Sequence, residues 1–214
     1  MRFNLSDNPI ARALGRLCDL VILNLLFIVC SLPIITIGAS ATAMYTVMLK
    51  LVKDEEGYIL KGFLAAFVQN FKKGTIAWLI LLIVNALVYF NIYLSSMMDI
   101  PTMSTVFMVI FMVFAVVILC GSLYVFPLIA RYENPLKNTF KNAFLLSIGR
   151  LPFTALLVLI HAVPVVIPLL HTYLLAYGVL FWFLVGFSAV SWMSSKILRK
   201  VFEIFETTET TNKV

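Results

Sequence analysis

The chain has 214 residues, of which 62% are hydrophobic and only 12% are charged. Soluble domains contain about 45–50% apolar and about 25% charged residues, so this composition excludes an ordinary soluble domain and indicates a membrane protein. The net charge of +6 does not indicate nucleic-acid binding, because the basic residues adjoin apolar runs and no nucleic-acid-binding motif accompanies them.

Six apolar runs follow one another along the chain, each close to the roughly 20 residues that cross a bilayer as a helix. They cover residues 14–32, 34–52, 75–97, 103–130, 151–171 and 173–196. Because only Pro33 and its neighbours separate the first two runs, segment 33–52 is either a full span or a re-entrant segment, and five spans is the competing count. The sequence predicts an all-α polytopic helix bundle that forms a single integral membrane domain over 1–214, with a polar C-terminal tail at 201–214.

The Lys and Arg residues form four clusters that alternate with these runs. The clusters are Arg2, Arg12 and Arg16; Lys50, Lys53, Lys61, Lys72 and Lys73; Arg131, Lys137, Lys141 and Arg150; and Lys196, Arg199, Lys200 and Lys213. Six spans place every cluster on one side of the bilayer, and basic residues are retained in the cytoplasm. We therefore expect a multi-pass membrane protein with both termini cytoplasmic.

Two cytoplasmic segments carry apolar residues at every fourth position among polar and basic ones. Their stripes are Ile59, Phe63, Phe67 and Phe71, beside Lys72 and Lys73, and Leu136, Phe140, Phe144 and Ile148, beside Lys141. Four-residue spacing keeps side chains on one slowly drifting helical face. The pattern predicts two amphipathic helices that lie at the membrane surface or dock a partner through these residues.

The two amphipathic segments occupy matched places in the chain, since Phe63 and Phe140 are 77 positions apart. Such an offset is typical of a parallel repeat, here 33–97 and 103–171. Chance similarity between apolar sequences explains the match equally well.

Small residues recur on two of the apolar runs. Gly38 and Thr42 have the four-residue spacing of small-xxx-small helix packing. A similar face on the last run carries Ser188, Ser191 and Ser195. We expect these faces to be interfaces between helices, within the chain or with a partner.

Polar groups inside the apolar runs are the candidates for a cavity. Asp19 is an intramembrane carboxylate and hence a functional candidate by default, but Arg16 lies three residues earlier and a structural ion pair is favoured. For Asn24 and Asn85, hydrogen bonds between helices are favoured over ligand recognition.

The fifth run contains His161 and two prolines, Pro164 and Pro168. The prolines should bend this helix and free backbone carbonyls, which either line a cavity with His161 or form a fixed kink. His171 is ten residues from His161 and cannot share a metal ion with it. With Cys18, Cys30 and Cys120 in no paired motif, we expect no metal, no cofactor and no disulfide.

Several stretches together closely resemble the YesL-like family of bacterial membrane proteins. They are 24–27, 30–40, 49–58, 126–128, 131–134 and 141–143, with Phe63, Phe67 and Phe71 between them. Members of this family have no known function and no established catalytic or binding residues. They are typically found in Gram-positive bacteria, often encoded near carbohydrate ABC transporters. The resemblance implies a context rather than a mechanism.

No P-loop, nucleophile elbow or paired-carboxylate motif is recognisable, so the sequence does not indicate an enzyme. The function favoured is a non-enzymatic accessory or regulatory membrane protein, in contact with the lipid bilayer and with an ABC-transporter permease or another membrane protein. The alternative is a small transporter or channel for a solute such as a sugar, formed as a homo-oligomer.

Overall fold

The computed structural model describes residues 9–53, 55, 57–170 and 172–211, and all regular structure in them is helical. The helices are α1 (Pro9–Cys30), α2 (Ile37–Leu51), α3 (Ile59–Ser96), α4 (Pro101–Arg131), α5 (Leu136–Gly149), α6 (Leu151–Leu169), α7 (Thr172–Phe181) and α8 (Phe187–Thr211). A 3-10 turn (Ile34–Thr36) precedes α2, and a π-helical turn (Trp182–Gly186) joins α7 to α8. Arg2, His171 and Lys213 lie outside the described residues.

Six helical segments of this part of the chain are long and apolar enough to cross a membrane. They are Ala13–Cys30, Ile34–Leu51, Ile59–Ser96, Pro101–Arg131, Leu151–Leu169 and Tyr173–Glu206. The all-α class is confirmed, and the number of candidate spans is the six of the primary prediction. Length and composition alone do not say how deeply each segment enters the bilayer.

One end of the bundle gathers basic residues from several helices. Lys50 and Lys53, at the end of α2, share a cavity with Arg131 at the end of α4. Arg199 of α8 donates from its guanidinium to the Val52 carbonyl oxygen, at 3.5 Å. We call this end, which also holds the start of α3, the basic end.

Two apolar clusters form the core near the basic end. One joins α1, α2 and the start of α3, and includes Leu23, Met48 and Phe63. The other joins α4 to α8, and includes Val201 and Phe202, both fully buried. Segment 201–214 therefore begins inside α8 and not as a polar tail, because its first apolar residues belong to the core.

The two amphipathic segments differ in structure. The first is the beginning of α3, which runs without a break for 38 residues, or about 57 Å at 1.5 Å per residue. The second is the separate helix α5, which packs along α4 with the Phe144 ring in the space where a Gly121 side chain would lie. The two halves of the chain therefore differ in shape, and the parallel repeat stays a prediction.

Helices α2 and α3 touch backbone to backbone where Gly38 faces Gly74. A Cβ atom added to Gly74 would lie 2.8 Å from both the Ala39 Cα and the Gly38 carbonyl oxygen, which is too close for any side chain. The small face of α2 is thus an interface within the chain. The small face of α8 is buried as well, at Ser188, Ser191 and Ser195.

Asn24 of α1 connects this helix to the π-helical turn through hydrogen bonds. Its Nδ2 donates to the carbonyl oxygens of Trp182 and Phe183, at 3.1 and 2.7 Å, and its Oδ1 accepts from the Ser188 backbone N–H at 3.1 Å. The side chain is fully buried. A π-helical turn disturbs the regular backbone ladder, and one amide here satisfies three of its neighbouring groups. Asn24 therefore joins helices, as favoured from the sequence.

Candidate docking surface at the basic end

The polar residues considered for a cavity have separate neighbours. Asn85 donates to the Leu81 carbonyl of its own helix at 2.8 Å, and the His161 Nδ1 lies 2.8 Å from the Leu157 carbonyl oxygen of its own helix. Asp19 instead lines a cavity at the basic end. In the described part of the chain, no three His, Cys, Asp or Glu side chains come together as a metal site would require. These residues do not form one site.

The proline bend of α6 is closed by a side chain. Pro168 has no N–H for the carbonyl of Pro164, four residues earlier. The Trp182 indole N–H donates to that same carbonyl oxygen at 3.3 Å. On the same helix, Pro168 fills the space in which a Gly178 side chain would lie. The contacts favour a fixed kink over a polar cavity at this point.

Two phenylalanines of the α3 stripe, Phe63 and Phe67, face the interior of the protein. Phe63 is fully buried in the cluster that includes Leu23 and Met48, and Phe67 packs against that cluster. The docking prediction is therefore wrong for Phe63, because the α1–α2 pair already covers it. Phe140 and Phe144 of α5 likewise pack against α4. The predicted positions that are exposed are Phe71, Lys72, Lys73 and Lys141.

A second apolar stripe on α3 faces outward. It consists of Leu60, Leu64, Val68 and Phe71, all exposed, with Val68 exposed by 74%. Their spacing of four, four and three residues places them on one side of the helix. We call these four residues the outer stripe. They form a row of apolar side chains that nothing in the described structure covers.

Cations adjoin the outer stripe. Lys61 and Lys72 are exposed, and helical geometry at 100° per residue places both along the edge of the stripe beyond Val68. A cavity of about 420 Å³ opens nearby, lined by Lys50, Tyr58 and Lys61 among others. An apolar row edged by positive charge suits a surface that is itself apolar and negatively charged.

The residues of the outer stripe recur every three to four positions, so their periodicity can be seen in the sequence. The regular spacing of the phenylalanines is the more conspicuous pattern in the same segment. Apolar residues cover most of the circumference of segment 59–71, so periodicity alone does not say which side faces the core. Phe63 faces the core because the α1–α2 pair packs on that side of α3.

An ionic cluster fixes α4 to α8 at the basic end. The Arg131 guanidinium donates to both Glu206 carboxylate oxygens, at 2.8 and 3.1 Å, and the Tyr132 hydroxyl donates to Oε1 at 2.7 Å. The Tyr132 ring meets the Phe202 ring edge-on. Burial and the hydrogen bond to the Glu206 carboxylate both raise the pKa of Tyr132, so its hydroxyl stays a donor at physiological pH.

We expect Glu206→Gln to lower the free energy of unfolding by about 1 kcal/mol, because it removes the charge from a two-point guanidinium contact. Thermal unfolding in detergent measures the change. Glu203→Gln is the matched control, since Glu203 pairs with Arg199 on the same helix in an exposed i,i+4 pair of the kind that contributes only about 0.3–0.5 kcal/mol. Equal losses in the two variants would contradict a stabilising role for the cluster.

Comparison with known proteins supports the resemblance seen in the sequence. Residues 20–92 match the family described as protein of unknown function, DUF624. The uncharacterized protein YesL of Bacillus subtilis strain 168 is 24% identical over 143 residues, which are 66% of this chain and 66% of that protein. The matched part thus spans just under two thirds of that relative. No solved structure matches the chain.

Proposed function

We propose that this YesL-like, DUF624-related membrane protein is a non-enzymatic accessory subunit that holds another membrane protein against its basic end. The observation that carries the proposal is the outer stripe, an exposed apolar row on a helix whose opposite face is fixed in the core. Contiguous exposed apolar surface on a folded protein marks an interaction site. Because Phe63 and Gly74 anchor the helix, the stripe is presented on a rigid support.

The position of the stripe favours a protein partner over acyl chains alone. The apolar run of α3 begins at Thr75, and Leu64 and Leu60 lie about 16 and 22 Å before it along the helix. These two side chains therefore lie where α3 leaves the hydrocarbon at the basic end. A partner segment with an apolar face and acidic residues opposite Lys61 and Lys72 fits this surface.

The proposed partner is the permease of a carbohydrate ABC transporter, or another membrane protein of the same assembly. This identity rests on the genomic context that the family resemblance implies. Bacterial cell-membrane location and cytoplasmic termini belong to the same proposal, supported by the basic end and the positive-inside rule.

We expect the double variant Leu64→Asp, Val68→Asp to reduce partner recovery at least tenfold. Two apolar contacts are lost and two carboxylates would have to be desolvated, and tenfold corresponds to only about 1.4 kcal/mol. The measurement is purification from native expression in mild detergent, with quantification of stoichiometric membrane partners and carbohydrate permeases examined first.

The matched control for this experiment is Gln69→Asp, which adds one acid at an exposed position of the same helix outside the stripe. It should leave recovery unchanged. Recovery of no stoichiometric partner with the unaltered chain, or equal recovery with the double variant, would contradict the accessory function.

The alternative, a small oligomeric transporter or channel, needs polar groups along a shared path. Asn24, Asn85 and His161 each bond separately, and Trp182 occupies the carbonyl that the bend of α6 leaves free. We therefore prefer the accessory function. Uptake of a sugar by liposomes that contain only this protein would reverse that preference.

A further inference from the structure

We propose that α1 and α2 form a re-entrant hairpin, which enters the bilayer from the basic end, turns inside the hydrocarbon at 31–36, and returns to the same side. The apolar turn then contacts lipid acyl chains directly. The chain crosses the membrane four times, through α3, α4, α6 and the segment from α7 into α8. This inference is independent of any protein partner.

The first support is the depth at which α2 meets α3. The backbone contact at Gly38 and Gly74 places the beginning of α2 beside the residue from which α3 still has to run to Ser96. That remaining length is about 33 Å at 1.5 Å per residue. A hydrocarbon core is about 30 Å thick, so its far boundary lies beyond the turn unless most of this length stands outside it. The turn between α1 and α2 thus stops short of the far side of the bilayer.

Moving the bilayer toward the basic end does not let α1 and α2 span it. The far halves of α3 and α4 would then stand in water, where their side chains include Ile83, Leu87, Phe90, Val109 and Val113, all exposed. The α4 segment is the most apolar of the six candidate spans. Leaving it in water would expose far more apolar surface than leaving the ends of α1 and α2 outside the hydrocarbon.

The second support is the composition of the turn. Leu32 and Ile34 are exposed by 75% and 65% of their surface, on either side of Pro33. A turn on the outer surface would present these aliphatic side chains to water. Acyl chains accept them without cost, and the proline has no N–H that would need a partner.

The third support is that several polar groups of the turn pair within it, although the buried Ser31 Oγ has no partner among the described residues. The Ser31 and Leu32 backbone N–H groups donate to the carbonyls of Phe27 and Val29, at 2.9 and 3.3 Å. The Thr36 hydroxyl lies 2.6 Å from the Cys30 carbonyl oxygen and 2.7 Å from that of Pro33. Internal pairing of this kind is what a non-helical segment at membrane depth requires.

A re-entrant hairpin and two full spans place residues 16 and 50–53 on the same side, so charge placement cannot distinguish them. Accessibility of the turn can. The test uses the full chain with Cys18, Cys30 and Cys120 replaced by Ser or Ala, and single cysteines introduced as Ile34→Cys, Met98→Cys or Glu55→Cys. Intact cells and permeabilised cells are treated with a membrane-impermeant maleimide.

We expect Met98→Cys, in the loop between α3 and α4, to be labelled in intact cells, and Glu55→Cys only after permeabilisation. Ile34→Cys should be labelled at least tenfold more slowly than both controls in either preparation, because a thiol in hydrocarbon does not ionise and the reagent does not enter. Labelling of Ile34→Cys in intact cells at the rate of Met98→Cys would overturn the proposal. So would rapid labelling only after permeabilisation, which would place the turn in cytoplasmic water.

A second measurement locates the turn without relying on thiol reactivity, which would also be low in a distorted protein. A nitroxide attached to Ile34→Cys in liposomes should collide more often with oxygen, which concentrates in hydrocarbon, than with a water-soluble nickel chelate. The nitroxide at Met98→Cys should show the reverse. More frequent collision with the nickel chelate at Ile34→Cys would overturn the proposal independently of thiol chemistry.

Discussion

Gly74→Ala should destabilise the protein by about 2 kcal/mol or more, although alanine is the better helix former, because overpacking a tight contact commonly costs about 1–3 kcal/mol. The added methyl would lie 2.8 Å from backbone atoms of Gly38 and Ala39. Backbone atoms cannot swing away as the end of a side chain can, so α2 and α3 would have to separate. The loss is measured by thermal or denaturant unfolding in detergent.

Gly62→Ala is the control for this prediction, because Gly62 lies on the same helix with its nearest neighbour, the Val47 Cγ2, 3.7 Å from an added Cβ. There alanine fits, and we expect an unchanged or higher stability, by up to about 1 kcal/mol from helix propensity. If both variants were equally stable, the close approach of α2 and α3 would not exist in the protein.

Asn24→Leu should lower the free energy of unfolding by about 2 kcal/mol, because it removes three hydrogen bonds from a fully buried side chain. The carbonyls of Trp182 and Phe183 accept hydrogen bonds from this amide, and the N–H of Ser188 donates to it. Leucine has a volume similar to that of asparagine, so the substitution itself introduces no steric clash. Unfolding in detergent gives the stability, and the fluorescence of Trp182 and the other tryptophans reports the π-helical turn.

Asn91→Leu provides the comparison for Asn24. The Asn91 side chain is partly exposed and donates to the Leu87 carbonyl of its own helix, at 2.8 Å. Its loss should change stability by less than about 0.6 kcal/mol, a typical value for a polar contact within a membrane protein. Equal effects of the two leucine variants would show that Asn24 does not hold α1 in place.

Sequence analysis predicted the bounds of the later apolar helices well, and it left open whether 33–52 is a full span or a re-entrant segment. The predicted run 103–130 corresponds to the helix Pro101–Arg131, and the run 151–171 corresponds to Leu151–Leu169. The agreement is close because the length of an apolar run sets the length of a membrane helix. The depth of α1 and α2 depends instead on where Gly38 meets Gly74, a contact between two helices. No property of residues 14–52 alone encodes it.

For the candidate docking surface as well, the local sequence predicts some features and others depend on contacts between helices. The amphipathic character of 59–73 was visible, but Phe63 proved to be internal and the outer stripe of Leu60, Leu64, Val68 and Phe71 external. Asn24 was expected to join helices, yet its partners lie 158 residues away or more. Its carbonyl partners lie in a π-helical turn, which no motif in 182–186 predicts.

The uninterrupted length of α3 gives it a mechanical property that shorter helices lack. The contact at Gly74 divides it into an arm of about 22 Å toward the outer stripe and an arm of about 33 Å toward Ser96. Since the Gly38–Gly74 crossing is a backbone-to-backbone contact with α2, it is the natural pivot of α3. A tilt of about 5° about this point would displace the far end by about 3 Å, so a partner that tilted the short arm would also move the loop at 97–100.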